Sequence, residues 1–428
     1  MMSFCYLQRV QVLICLTVTN TEGKFSKTMS YQRVNFNGNN SPQLRVTTMP
    51  ADRILLIAVA FLVVLGLMFI FSATAPKHID AGINPAKSFI NQILMGVIPG
   101  FIGMRILVNF DYKKLKMFDV TFAWIIVILL ALIDFTPLGV TINEAKRWIS
   151  IGPIQFQPSE YAKLAVVMLL ANAFYTDSKI IDPRKFSLYF LPIILMILLV
   201  YKQPNLSMVI LLFLTSVVMY IVSGAPLKLL CTLFISGVVA AVTAGVGSLT
   251  GVLKLIKPYQ LSRITIWLNP ESDPLGAGYN VIQSLVAFAT GGLWGVGYGA
   301  SKQKLAWLPE CHTDFIFAVI GEELGFLGCF FVIGLFLTVV QRGFLIATRC
   351  PDTYGKLLAV GITFSLGFQA FLNMSVASSF LPATGVPLPF ISYGGSSLMV
   401  SLWMIGILLN ISKKSIRKVR KDVNVRYI

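Results

Sequence analysis

Histidine occurs only twice in 428 residues, at His78 and His312, and the six cysteines contain no CxxC pair. A histidine-rich metal site and a disulfide framework are therefore not indicated. Charge is scarce too: Asp, Glu, Lys and Arg make up 12% of the chain, with 18 acids against 35 bases. No GK[ST] triplet is present, and Gly295, Gly297 and Gly299 mimic part of a dinucleotide fingerprint without a βαβ unit around them. No basic–aromatic module marks a nucleic-acid surface, so the net charge of +17 calls for a different partner.

Hydrophobic residues make up 56% of the chain, and the mean hydropathy is +0.77. Hydrocarbon admits only helices or closed barrels, and the apolar runs are too long for barrel strands. The fold class is therefore an all-α polytopic membrane protein of about ten transmembrane helices. They are expected at residues 53–72, 89–108, 118–135, 159–175, 186–200, 206–222, 227–246, 314–341, 357–376 and 396–411. With the N-terminus inside, Lys113, Lys114, Lys116, Arg342, Arg349 and Lys356 lie on the cytoplasmic side, and anionic lipid accounts for the basic balance.

Both termini are then cytoplasmic, and residues 247–313 form one long extracytoplasmic loop between helices 7 and 8. Pieces of it such as 279–289 are amphipathic and suit the membrane interface. Residues 1–50 are a polar extension without a signal peptide, either disordered or a mis-assigned start, since Met29 and Met49 offer later ones. Residues 51–412 form the transmembrane domain and 413–428 a basic cytoplasmic tail. The acids Asp80, Glu144, Glu271, Asp273, Glu310 and Asp314 come out on the external side, so chemistry is expected there.

Residues 308–328, LPECHTDFIFAVIGEELGFLG, carry the sharpest candidates. Asp314 precedes an apolar run and has two readings, helix N-cap or acid–base group. Glu or Gln is absent three residues on, so no capping box supports the first. Projected on a straight helix, Asp314, Ala318, Gly321, Gly325 and Gly328 share one face, a groove of small residues with an acid at its opening. Glu322 and Glu323 fall inside the span, where an ionisable group is either functional or paired. His312 reads as an interfacial hydrogen-bonding neighbour. In a second cluster, Pro158 fits a first helical turn, with Glu160 and Lys163 three apart, either an ion pair or a charged site. Lys163, Lys146 and Arg147 supply cations for a phosphate or pyrophosphate.

The ordered motifs AKRWI, QPSEYAKL, QPN, RITIWLNPESDPLGAGYNVIQSLVAF, GGLWGVGYG, HTDFIFAVIGEELG and PATGVPLPFISYGGSS resemble those of the SEDS family of peptidoglycan polymerases. The resemblance runs from Arg53 to Ile411. Gly321–Glu323 and the GLWGVGYG stretch look closer to its division branch (FtsW) than to its elongation branch (RodA). It implies a lipid II glycosyltransferase in the bacterial cytoplasmic membrane, at the division septum, working with a class B penicillin-binding protein and other division proteins. Asp314 matches the family's catalytic aspartate, Glu160 and Lys163 its Glu-x-x-Lys, and Lys146, Arg147 and Trp148 its AKRW.

Two departures stand out. Asn205 sits where the family usually has Asp after Gln-Pro, and Glu144 replaces a common Gly. The α-linked pyrophosphate donor and β-linked product imply one inverting displacement. Asp314 would deprotonate the acceptor hydroxyl, while Lys163, Lys146, Arg147 and Arg263 stabilise the departing pyrophosphate, with His312 and Glu322 beside the substrate. A divalent cation, Mg or Mn, would share that task at a site the sequence leaves unknown. A lipid II flippase and an elongation-branch polymerase are the alternatives.

Overall fold

The computed structural model describes residues 45–419 apart from 49, 143–144, 152–153, 177–182, 227–262, 264, 275, 277, 306 and 384. The described helices are α1 (Arg53–Asp80), α2 (Lys87–Asn109), α3 (Asp119–Phe135), α4 (Pro158–Thr176), α5 (Pro183–Lys202), α6 (Leu206–Val222), α7 (Tyr279–Gly291), α8 (Ile316–Arg349), α9 (Thr353–Ala377) and α10 (Gly395–Lys413). Nine of the ten expected spans coincide with these helices; the seventh, 227–246, lies outside the described residues, as does most of the loop before residue 263. Among the described residues five helices, α1, α2, α8, α9 and α10, are long and apolar enough to cross a membrane. The amphipathic stretch expected at 279–289 is α7, which packs along α8.

At the centre is α4. Every side chain from Pro158 to Phe174 is buried, including Glu160 and Lys163. A helix apolar around its whole circumference belongs in the interior of a bundle, and α3, α5, α6, α9 and α10 all pack on it. In contrast, α1 leaves Ile57, Phe61 and Val64 exposed on the outer side, as a helix in contact with lipid does.

Small residues set the closest helix pair. Gly96, Gly100 and Gly103 of α2 receive Leu398, Leu402 and Trp403 of α10, the close approach that membrane helices use in place of a hydrophobic driving force. Pro99 has no N–H to offer the carbonyl of Met95, and the helix widens just before it into a π-turn over Ile93–Val97. The Trp403 indole donates to the Pro99 carbonyl at 3.3 Å.

Two small sheets mark the ends of the bundle. The antiparallel ribbon β2 (Gly139–Ile142), β3 (Ala145–Ile151) and β4 (Ile154–Phe156) joins α3 to α4. At the other end, β1 (Arg45–Thr48) pairs antiparallel with β5 (Ile416–Val419). The two ends of the described chain thus meet on one side. Parts of the expected N-terminal extension and C-terminal tail are strands there.

Gly100 leaves no room for a side chain, because a Cβ there would lie 2.7 Å from Leu402 Cδ1, whereas nothing lies within 4 Å of a Cβ at Gly334 of α8. Gly100→Leu is expected to cost about 1–3 kcal/mol by overpacking and to lower the melting temperature of the purified protein. Gly334→Leu is expected to leave it within error, and equal losses would contradict the close α2–α10 packing.

Candidate active site

The turn before α8 is pinned carbonyl by carbonyl. Tyr393 N–H donates to the His312 carbonyl at 2.9 Å, the Ser392 hydroxyl to that of Thr313 at 2.5 Å, and the Asn373 amide to that of Asp314 at 2.8 Å. Within the turn, Glu310 takes a positive φ of 53°, and its carboxylate accepts from the Thr313 hydroxyl at 2.9 Å. Helix α8 starts only at Ile316, its N-cap is Phe315, and no side chain caps it. The capping alternative for Asp314 is not realised.

The same α9 side chains hold the irregular loop between α9 and α10. Asn373 also donates to the Val386 carbonyl at 2.8 Å, and Gln369, one turn earlier, donates to Pro387 at 2.9 Å. Lys163 in turn donates to the Gln369 side chain and is ion-paired with Glu160 at 2.7 Å. The buried pair on α4 is thereby linked through Gln369 and the 386–387 backbone to the turn that carries Asp314. Lys163 acts on the loop through Gln369.

Arg147 comes from the ribbon. The register of β2 and β3 shifts between Val140 and Thr141, so that Trp148 and Lys146 have opposite numbers and Arg147 has none. A bulge of this kind re-aims a side chain. Arg147 donates to the carbonyls of Gln203 at 2.9 Å and Pro204 at 2.6 Å, in the turn between α5 and α6. Its other nitrogen faces Gly385: a Cβ there would lie 3.6 Å from Arg147 Nη1 and 3.2 Å from Asp314 Oδ2. Glycine at 385 keeps the space between the acid and the guanidinium open. Lys146 goes elsewhere, donating to the Thr136 carbonyl at the end of α3 at 2.7 Å.

Asp314 is half-buried. Loss of hydration raises its carboxyl from an ordinary 3.8 to about 7; the Glu310 charge adds to the rise, and Arg147 and Arg263 oppose it. Arg263 is thus an electrostatic neighbour of Asp314. His312 stacks obliquely on Tyr393, ring centres 5.6 Å apart, and burial holds its pKa below the usual imidazole value against the pull of Glu310. Its Nδ1 is buried without a hydrogen-bond partner among the described residues. His78, remote in sequence, is close enough for its charge to act on His312.

Glu322 lies away from this constellation. It accepts from the Ser301 hydroxyl and from the amides of Lys302 at 2.9 Å and Gln303 at 3.3 Å, fixing the 301–305 turn. Glu323 does the same for the adjoining segment, paired with Lys304 at 2.7 Å and bonded to Ser72 and the Gly299 amide. The straight strip of small residues expected from Asp314 to Gly328 is not formed. Gly325 breaks α8 at φ 67° and ψ −166°, and the Glu322 and Glu323 carbonyls accept the amides of Val296 and Gly297, each at 3.0 Å. The segment 291–297 fills that face.

Sequence reasoning missed Gln369, Asn373, Ser392, Gly385 and Glu310 as parts of the site. A Gln and an Asn four residues apart in an apolar helix were the available signal, since intramembrane polar groups default to specific partners. Among the described residues no three His, Cys, Asp or Glu side chains come together to hold a metal ion.

Removing the Lys163 ammonium strands the Glu160 carboxylate in a buried position, at a cost of about 3–5 kcal/mol. In melting experiments Lys163→Met is expected to destabilise the protein strongly, and Glu160→Gln added to it to recover part of the loss. Strictly additive losses would contradict the pairing.

A family model described as cell cycle protein, FtsW/RodA/SpoVE, matches residues 52–417. The chain is 39% identical over 370 residues to a probable peptidoglycan glycosyltransferase FtsW of Trichlorobacter lovleyi, covering 84% of this chain and 93% of that protein. It is 37% identical over 370 residues to stage V sporulation protein E of Bacillus subtilis, covering 85% and 97%. Among solved structures it resembles a chain from work on the structural coordination of polymerization and crosslinking by a peptidoglycan synthase complex, with TM-score 0.69, 31% identity and coverage of 85% and 97%. RodA of Thermus thermophilus is similar at TM-score 0.60 and 27% identity, with the same coverage. Several of the most similar curated proteins carry the FtsW name, at 36–39% identity, which supports the division branch. The chain belongs to the FtsW/RodA/SpoVE family of polytopic cell cycle proteins.

Proposed function

We propose that this protein is a peptidoglycan glycosyltransferase that polymerises lipid II at the outer face of the cytoplasmic membrane, in septal wall synthesis with a class B penicillin-binding protein as its transpeptidase. The observation that carries the reading is the Asp314 carboxylate, which caps no helix, is raised toward neutrality, and borders, together with the Arg147 guanidinium, the space beside Gly385. Its rigid backbone supports a base held ready for its proton, since a general base works best with a pKa near the operating pH.

In the reaction, Asp314 takes the proton of the acceptor's 4-hydroxyl as that oxygen attacks the anomeric carbon of the donor sugar. The bond from that carbon to the pyrophosphate breaks, and its electron pair leaves on the pyrophosphate. One such displacement inverts an α-linked donor into a β-linked strand. Arg147 and Arg263, whose charges already act on Asp314, face the developing negative charge. Lys163, Glu160 and Lys146 are positioning residues, engaged with Gln369 and the end of α3.

The test is purified full-length protein with its cognate transpeptidase and labelled lipid II, scored for glycan polymer. Asp314→Asn is expected to lower the rate by at least about 10²-fold with the melting temperature retained. Polymer made at the normal rate by this variant would overturn the base assignment. Transbilayer movement of lipid II without polymer would favour a flippase.

A further inference from the structure

At the end of the bundle remote from Asp314, a cavity of about 250 Å³ opens between the start of α1 and the ends of α8 and α10. Arg342 lies 17 positions beyond the break at Gly325, roughly 25 Å of helix further from the Asp314 turn. Three arginines line the cavity, Arg53, Arg342 and Arg349, against a single acid, Asp52.

The acid is already committed. Asp52 caps α1 by accepting the Leu55 amide at 3.0 Å, and it pairs with Arg342 at 2.5 Å. Its own amide donates to the Ser412 hydroxyl at 3.0 Å, which ties α1 to α10. Arg53 and Arg349 are exposed, and among the described residues neither has a carboxylate within ion-pair distance. Among the described residues, the cavity therefore presents two guanidiniums without a carboxylate partner above a neutralised floor.

Beside them Ile54 is half-exposed, and the outward residues Ile57 and Phe344 continue down α1 and α8. In a membrane-spanning helix such residues face acyl chains, so the arginines sit at headgroup level. The basic end of a polytopic protein lies on the cytoplasmic side, where the leaflet is anionic. Guanidinium forks match phosphate oxygens bidentately.

We infer that this cavity binds the phosphate of an anionic phospholipid of the inner leaflet, held by Arg53 and Arg349 while Arg342 and Asp52 keep the helices in place. The chemistry is that of a phosphate diester with one negative charge, which inorganic phosphate shares in part.

Delipidated full-length protein in neutral detergent would be titrated with phosphatidylglycerol, phosphatidylcholine and inorganic phosphate and read by native mass spectrometry. One phosphatidylglycerol is expected to bind in preference to phosphatidylcholine. It should weaken at least about tenfold in Arg53→Ala/Arg349→Ala, by less in each single variant, and not at all in Lys113→Ala/Lys114→Ala. Melting temperatures near wild type would show that the variants fold, as expected with the Asp52–Arg342 pair intact. Equal binding of the two lipids, or undiminished phosphatidylglycerol binding by the double variant, would overturn the inference. Inorganic phosphate binding as tightly as phosphatidylglycerol would overturn the lipid assignment in favour of the free anion.

Discussion

A peptide carbonyl buried inside a bundle must find a donor within the protein, and the turn before α8 and the loop after α9 turn several of them toward one another. Asn373 and Gln369 resolve this with amide groups that reach both segments, and Lys163 with Glu160 holds Gln369 from the bundle's centre. The rest of the outer end depends on this arrangement. It is why a loop of Pro and Gly can be rigid, why Tyr393 and Ser392 meet the His312 and Thr313 carbonyls, and why Asp314 keeps its place without being a helix cap.

The electrostatics follow from that geometry. A carboxylate held by its own backbone, half-buried and beside another acid, loses hydration and rises toward neutrality; the guanidiniums that oppose the rise also suit a pyrophosphate. Arg147 reaches this position through a bulge in β3 and two carbonyls of the turn between α5 and α6. Asn205, the residue that departs from the family pattern in that turn, caps α6 by accepting the Met208 amide. The turn therefore contributes backbone carbonyls to Arg147 with no acid at that position.

Much of this was legible beforehand. Apolar runs of spanning length predicted nine helices that are present, and the position of Asp314 ahead of such a run drew attention to it without any contact being known. The Glu160 and Lys163 spacing likewise foretold their pair. What escaped were features made by segments far apart in sequence. Projection onto a straight helix cannot foresee that Gly325 breaks α8 so that the 291–297 segment packs there. Nor does it show that Glu322 is taken by amides some twenty residues earlier. Adjacent cations looked equivalent in Lys146 and Arg147, yet a one-residue register shift separates their destinations.

The central claim is that Asp314 works as a base whose ionisation is set by its surroundings, and the dependence of polymerisation rate on pH tests it most directly. On that claim the ionised form is the active one, and loss of hydration pushes the carboxyl up from the ordinary 3.8 to about 7. The rate of glycan formation by the purified protein with its transpeptidase is therefore expected to rise about tenfold per pH unit below that value and to level off above it. A rate that stays flat down to about pH 5 and falls only near the ordinary carboxylate range would contradict the account.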